Sequence, residues 1–241
     1  MHIKDSVALV TGANRGVGHA YVQALLQRGA RKVYAAARDT GSLAATVALD
    51  PARVVALKLD ITVAADIAAA AATAKDVTLL INNAGVLSFG GALDVSHDAI
   101  TRDMAVNFGG LTDVTRAFTP VLEANGGGVV ANMLTLLSFL SAPGFSAYNA
   151  SKAAAWSMAM SLRPYLAQKN ILLLNAFPAG IDTDMLAGVD AAKDQPAVVV
   201  KDVLDGVEAG QQDVYPGSAA GVYAAWRNDQ KAVEAMFAGM M

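Results

Sequence analysis

A tyrosine and a lysine four residues apart, Tyr148 and Lys152, stand in the stretch Ser146-Ala147-Tyr148-Asn149-Ala150-Ser151-Lys152-Ala153-Ala154-Ala155-Trp156. The alanine-rich run reads as a long helix, so the two side chains share one helical face, about 5–6 Å apart at Cβ. A free tyrosine, with a pKa of about 10, is a poor proton donor near neutrality. An ammonium held beside it favours the phenolate and lowers that value. A phenol tuned in this way passes a proton to or from a carbonyl oxygen. Alone the motif is weak, because six tyrosines and nine lysines in 241 residues give about 0.2 accidental matches. Its weight depends on the elements that position it.

Those elements belong to a chain that is 54% apolar and 16% charged, with a net charge of −3. That balance suits a folded globular protein and excludes general disorder. The mild acidity and the lack of any Lys/Arg block leave no electrostatic footprint for nucleic acid. There is no cysteine, which excludes disulfides, zinc–thiolate sites and iron–sulfur clusters. The N-terminus, Met1-His2-Ile3-Lys4-Asp5-Ser6, has no signal-peptide pattern. The longest apolar stretches are interrupted well short of a membrane span. A soluble cytoplasmic protein with no nucleic-acid or membrane partner is expected.

In order along the chain, Ser6–Val10 reads as a buried strand. Thr11-Gly12-Ala13-Asn14-Arg15-Gly16-Val17-Gly18 follows and runs into a helix over His19–Arg28, stopped by Gly29. Strand, glycine-rich turn and helix together make a phosphate site: the glycines permit a close backbone approach and the helix N-terminus attracts the anion. A second strand, Lys32–Ala37, ends in Arg38-Asp39. In a dinucleotide-binding unit that end reaches the adenosine ribose, where an acidic residue would bind the 2′-hydroxyl. Ala37 occupies the position, with Arg38 next and Arg15 able to point at the same place. Two guanidiniums suit a 2′-phosphate, so NADP(H) is expected over NAD(H).

Further strands are expected at Arg53–Leu59, ending in Asp60-Ile61-Thr62, and at Val77–Ile81, ending in Asn82-Asn83-Ala84-Gly85. Asparagines at a strand's carboxyl end knit loops together and face the ligand crevice of an open sheet. A helix is expected from about Val63 to Thr73, and another from Ser96 to about Thr119. The second contains Asn107, a polar residue that needs a partner, with Gly109-Gly110 positioned to relax the helix. Strands at Val129–Leu134 and Ile171–Phe177 lead to Thr135 and to Pro178-Ala179-Gly180-Ile181-Asp182-Thr183-Asp184-Met185. Leu186–Ala197 lacks periodicity and reads as a mobile lid, so that the substrate lid covers about residues 184–197. A helix at Val199–Ala209, a short strand near Val214-Tyr215 and a helix from Ala219 close the chain. Strands and helices alternate over residues 1–241 as one domain, hence an α/β, Rossmann-type doubly wound parallel sheet with helices on both faces.

At this point the residues resemble the short-chain dehydrogenase/reductase family over essentially the whole chain. Thr11-Gly12-x-x-x-Gly16-x-Gly18 is similar to its cofactor turn, Asp60 to its adenine-contacting acid and Asn82-Asn83-Ala84-Gly85 to its structural Asn-Asn-Ala-Gly. Asn107, Tyr148 and Lys152 match three of its four catalytic residues, and Thr183 the threonine that meets the nicotinamide carboxamide. The resemblance implies cofactor contacts at Gly12, Asn14, Arg15, Gly16, Val17, Gly18, Arg38, Asp60, Ile61, Asn83, Ala84, Gly85, Tyr148, Lys152, Pro178, Ile181 and Thr183. It also implies roles. Tyr148 would be the acid in reduction and the base in oxidation. Lys152 would hold the nicotinamide ribose and lower the tyrosine pKa. Asn107 would anchor a water linking Lys152 to solvent. Hydride would pass directly between NADP(H) and a carbonyl carbon with no metal, in keeping with the scattered His2, His19 and His97.

Two departures from the family pattern stand in the site. The family serine, about thirteen positions before the tyrosine, falls on Thr135, whose methyl group and stiff χ1 bear on where its hydroxyl points. Ser138 is a rival donor. Ala179 replaces the glycine usual after Pro178, which is strained if φ there is positive and harmless if it is negative. By family position the substrate wall includes Leu87, Phe89, Leu136, Phe139, Phe145, Met185 and Leu186, which suits a hydrophobic ketone, aldehyde or secondary alcohol. The alternatives are a same-fold enzyme working without net hydride transfer, lyase- or epimerase-like, and a catalytically impaired cofactor-binding protein. Relatives are commonly tetramers or dimers. Ala153–Ala155, Trp156, Met158 and Met160 offer the apolar outer helix face that a homo-oligomer would use.

Overall fold

Apolar runs too short for helices, bounded by glycine, asparagine or aspartate, become parallel strands, buried on both faces away from the sheet edges. The computed structural model describes residues 2–239. Its elements are β1 (Val7–Thr11), α1 (Gly16–Gln27), β2 (Lys32–Ala37), a one-turn α2 (Ala44–Val47), β3 (Val54–Lys58), α3 (Ala64–Thr73) and β4 (Leu79–Asn82). They continue with α4 (His97–Asp103), α5 (Leu111–Ala124), β5 (Gly128–Met133), α6 (Ser146–Ala167), β6 (Ile171–Ala176), α7 (Pro196–Ala209), β7 (Asp213–Val214), α8 (Ala219–Asn228) and α9 (Gln230–Ala238). All seven strands are parallel in the order β3-β2-β1-β4-β5-β6-β7. The expected doubly wound sheet is the observed fold.

The chain runs outward from β1 through β2 to β3, then crosses back to place β4 on the other side of β1. That reversal opens a crevice at the carboxyl ends of β1 and β4, the place where such sheets bind ligands. One face of the sheet is covered by α1 and α7 through Tyr21, Val22, Leu25, Leu26, Val199, Val203 and Leu204. The other face is covered by α3, α5 and α6 through Ile67, Val114, Phe118, Leu122, Ala159 and Leu166. Each fully buried side chain of this size contributes about 1.5–3 kcal/mol, so truncating Leu25 to alanine would cost about 2–5 kcal/mol.

Some boundaries differ from the sequence expectation for physical reasons. Helix α1 begins at Gly16 rather than His19, so part of the glycine motif forms the first helical turn. The helix expected over Ser96–Thr119 begins as expected, with the Ser96 hydroxyl accepting from the Ala99 N–H at 3.2 Å, but is interrupted. Residues Met104–Gly110 form a π-helical stretch between α4 and α5. Gly110 there lies so close to the loop after β3 that a β-carbon would sit 2.7 Å from Ile61 Cγ1. The irregular stretch expected over Leu186–Ala197 ends at Gln195, because Pro196 occupies the first turn of α7, where its missing N–H costs nothing. Within it, Asp182 N–H donates to Asp194 O at 2.9 Å and Asp194 N–H to Gly180 O at 2.8 Å.

The expected outer apolar face of α6 is only partly outward. Trp156 turns inward and packs edge-on against Phe139 and Phe177, with ring centroids 5.8 and 6.1 Å away. Ala155 is buried, and Met160 remains exposed.

Candidate active site

Nearly every loop at the carboxyl edge of the sheet contributes to one cavity of about 1730 Å³. Each cofactor residue expected from the sequence, from Gly12 to Thr183, lines it, as do Thr135, Tyr148 and Lys152.

The glycine turn is shaped by backbone demands. Gly12 has φ +65°, a left-handed conformation that favours glycine. A β-carbon on Gly18 would stand 2.0 Å from Gly12 O, so no side chain fits between turn and helix. The turn is tied to β4 by Asn83, whose Nδ2 donates to Thr11 O at 2.9 Å and to Gly12 O at 3.2 Å. Thr11 Oγ1 accepts the N–H groups of Asn83 and Ala84, each at 3.0 Å. The loop-knitting role expected of these asparagines is what the geometry shows.

Behind the crevice runs a polar feature the sequence reading missed. Asn82, Asn132 and Asn175 lie side by side in register on β4, β5 and β6. Asn82 Nδ2 donates to Asn132 Oδ1 at 3.0 Å, and Asn132 Nδ2 to Asn175 Oδ1 at 3.1 Å. Asn82 also donates to Thr115 Oγ1 at 2.9 Å. Three asparagines at the ends of three apolar strands were the available signal, because buried amides need each other as partners.

Tyr148 and Lys152 lie on the first two turns of α6, which starts where β5 has delivered the chain to the crevice. Lys152 is 4% exposed, and its Nζ donates to Met133 O at 2.7 Å while lying 5.8 Å from the centre of the Tyr148 ring. Burial pulls the Lys152 ammonium down to about 8, with the charge of Asp103 opposing. Burial pushes the Tyr148 phenol above its ordinary value, and the negative charge of Asp103 adds to the rise. The expectation of a phenol lowered by its lysine is therefore reversed in the protein alone. The ammonium bonds a carbonyl rather than the phenol, and desolvation dominates.

Asn107 does not line the cavity but stands behind Lys152. Its Oδ1 accepts the Val86 N–H at 2.9 Å, and its Nδ2 donates to Val86 O at 2.8 Å and Ser151 Oγ at 3.0 Å. Gly85 lies between the two: a β-carbon there would be 3.1 Å from Asn107 Oδ1 and 3.7 Å from Lys152 Nζ. The widened π-helical turn gives this asparagine the partners its burial requires.

Thr135, 6% exposed, lies at the end of β5 and faces the cavity. Its hydroxyl donates to Pro178 O at 3.3 Å and accepts the Leu137 N–H at 3.2 Å. The Ser138 hydroxyl is buried without a hydrogen-bond partner, and the residue is not part of the cavity wall. Ala179 is not among the residues with positive φ, so its methyl group brings no backbone strain.

At the adenosine side, Arg38 is exposed at the end of β2, whereas Arg15 makes an ion pair with Asp184 at 2.9 Å. This pair is open to water and contributes about 0–1 kcal/mol. Asp60 is held below the usual carboxylate range by its bond from the Thr62 hydroxyl; partial burial opposes this, and Arg38 adds to it.

The far wall corrects the sequence reading. Leu87, Leu136, Phe145, Met185 and Leu186 line the cavity, but Phe89 and Phe139 do not. Phe89 is 57% exposed and leans on Phe145 at 5.4 Å, while Phe139 centres an aromatic cluster with Trp156, Phe177, Tyr215, Tyr223 and Trp226. In their place stand Val222 of α8 and Met236 and Phe237 of α9. No sequence signal pointed to these.

The sequence pattern of the short chain dehydrogenase family matches residues 6–194. Human dehydrogenase/reductase SDR family member 4 is 30% identical over 188 residues, which cover 75% of this chain and 68% of that protein. A short chain dehydrogenase from Burkholderia cenocepacia J2315, solved in complex with NADP, has a TM-score of 0.92 at 38% identity over 98% of this chain and 99% of its own. A short-chain dehydrogenase from Sphingobium yanoikuyae in complex with NADPH has a TM-score of 0.81 at 26% identity, with 95% of each chain covered.

Proposed function

This chain belongs to the short chain dehydrogenase family of oxidoreductases, and from that premise we propose that it transfers a hydride between NADP(H) and a hydrophobic ketone, aldehyde or secondary alcohol. The observation that carries the reading is one cavity lined both by the glycine turn and by Tyr148 and Lys152 on a shared face of α6.

The cofactor cradle fits. The first turn of α1 carries no acidic side chain and no side-chain cap, leaving its N–H groups for a phosphate. Gly12, Asn14, Gly16, Val17 and Gly18 would hold the pyrophosphate, and Arg38, with Arg15 once it leaves Asp184, the 2′-phosphate. Asp60 and Ile61 would flank the adenine. Asn83, Ala84, Gly85 and Lys152 would hold the nicotinamide ribose, and Pro178, Ile181 and Thr183 the carboxamide. When bound, the nicotinamide supplies or takes up the hydride.

The chain's own residues handle the proton. Tyr148 Oη gives its proton to the substrate oxygen in reduction and takes one in oxidation. Its raised proton affinity keeps it in the acid form across the neutral range. Lys152, anchored on Met133 O, sets a positive charge behind it. Asn107 would hold a water on the path that returns the proton. Thr135 turns its O–H from Pro178 O toward the substrate oxygen, while Leu137 N–H keeps the oxygen in place. Leu87, Leu136, Phe145, Met185, Leu186 and Phe237 wall the substrate with apolar surface. The enzyme would act in the cytoplasm as a homo-oligomer, tetramer or dimer, to be read by light scattering.

Loss of nicotinamide absorbance over a panel of aryl and alkyl ketones tests the reading. Turnover with kcat/KM for NADPH at least about tenfold above NADH is expected from the guanidinium at Arg38. Silence across the panel despite tight NADPH binding would overturn it, and equal use of both cofactors would overturn the NADP(H) preference.

A further inference from the structure

Among the described residues two charged side chains are buried: Lys152 and, with 0% exposure, Asp103. The first belongs to the catalytic pair. The second does not line the cavity, and a carboxylate withdrawn from water costs several kcal/mol unless its charge is answered.

Asp103 is the last residue of α4, one turn before Asn107, so both side chains face the loop that follows β4. Asn107 grips that loop at Val86. Asp103 grips it at Ser88, its Oδ2 accepting the N–H at 3.0 Å and its Oδ1 the hydroxyl at 2.7 Å. Arg102 Nη2 donates to the same hydroxyl at 2.7 Å, and its Nε lies 3.7 Å from Asp103 Oδ1. These donors suit an ionised carboxyl. They do not neutralise it fully, because Arg102 is more than half exposed.

The other charged groups near α6 are placed differently. On α4 these are His97, Asp98 and Arg102, and on α5 Asp113, Arg116 and Glu123, all exposed. The π-helical stretch carries no charge besides that of neighbouring Asp103, and β6 and the Leu136–Ser138 turn carry none. Arg163, further along α6, is paired with Asp213. Asn107, one turn beyond Asp103, bonds Ser151 Oγ beside Lys152 at 3.0 Å and shares the Gly85 backbone with the Lys152 ammonium, so the Asp103 carboxylate lies on the buried side of the pair, where its charge acts on both Tyr148 and Lys152.

We propose that Asp103, the one other buried charge among the described residues, is the internal counter-charge of the Tyr148–Lys152 centre, a positioning residue that acts through the buried Lys152 ammonium. It rests on the hydride-transfer reading only for its consequence, the upper pH limit of turnover. The sign is the same at both groups: removing the negative charge makes Lys152 and Tyr148 lose their protons at lower pH. The pH–rate profile therefore moves toward acid whichever of them it reports.

The test follows the Lys152 titration by NMR in protein carrying 13Cε-lysine, the resonance being assigned by its loss in Lys152→Met. Asp103→Asn keeps the shape and drops the charge, and is expected to lower the midpoint by about one pH unit. Asp103→Glu restores most of it. Arg102→Gln, at a partly exposed residue on the cavity wall, removes the cation beside the carboxylate and is expected to move the midpoint upward. The alkaline limb of NADPH-dependent reduction moves with the titration, whereas a purely structural role would lower the rate equally at every pH. An unchanged midpoint in both Asp103→Asn and Arg102→Gln overturns the proposal. Should Asp103→Asn fail to fold, Arg102→Gln decides alone. Because the titration needs no turnover, a wild-type protein silent toward all carbonyls sinks the reductase reading without touching this one.

Discussion

At the glycine-turn end of the cavity the wall is mostly backbone: Gly18 leaves no room for a side chain, Gly12 and Gly85 leave little, and Asn83 bonds carbonyls of the turn. At the opposite end the wall is side chains brought from distant segments, Leu87 and Phe145 with Met185 and Phe237. The first end constrains residue type at fixed spacing, because a turn of given φ and a close approach admit few residues. The second asks only for apolar bulk, which many residues supply from many places. Tyr148, Lys152 and Thr135 stand where the two ends meet.

Of these three, Lys152 is assigned to both cofactor and proton, so its substitution should disturb both ends and have the largest effect. Lys152→Ala removes an ammonium anchored on Met133 O and is expected to lower turnover by about 10²-fold or more while also weakening NADPH binding. Unchanged NADPH affinity in a fluorescence titration would show that the lysine serves only the substrate side. At the backbone end, Gly18→Ala places a methyl group 2.0 Å from Gly12 O. The overpacking costs about 1–3 kcal/mol, so NADPH affinity should fall roughly ten- to a hundredfold with the ketone KM little changed. An equal loss for both ligands would blur the division drawn here.

The difference between the ends also explains what was legible in the sequence. The glycine turn, the strand ends at Asn83 and Thr135, and the Tyr148–Lys152 spacing could be read because local geometry fixes them. Phe89 and Phe139 were misplaced because an aromatic serves equally well as cavity wall, exposed lean-to or core. Phe139 joined the core, its ring tilted against Trp226 at 4.9 Å. Val222, Met236 and Phe237 were missed because the chain's end reaches the site only through tertiary packing. The ladder of Asn82, Asn132 and Asn175 escaped for a related reason: partners on three strands meet only once the register is known. The π-helical turn around Asn107 left no local mark beyond the glycines after it, and the phenol's response to burial depends on surroundings that no spacing rule contains.

Smaller effects sharpen the comparison. Phe237→Ala opens the side-chain end and is expected to raise KM for a hydrophobic ketone by roughly tenfold, with NADPH affinity untouched. Thr135→Ser keeps the hydroxyl and frees its rotamer, so turnover on small ketones should rise by roughly a few-fold. A fall instead would mean that the methyl group helps to seat the hydroxyl.

The central claim is that Tyr148 moves the proton while the backbone end holds the cofactor. Tyr148→Phe removes one hydroxyl, and kcat for ketone reduction should be read beside the NADPH Kd from fluorescence titration. The account predicts a kcat lower by at least about 10²-fold with a Kd within about twofold of wild type, because no contact of the glycine turn is touched. A variant that keeps most of its turnover would contradict it.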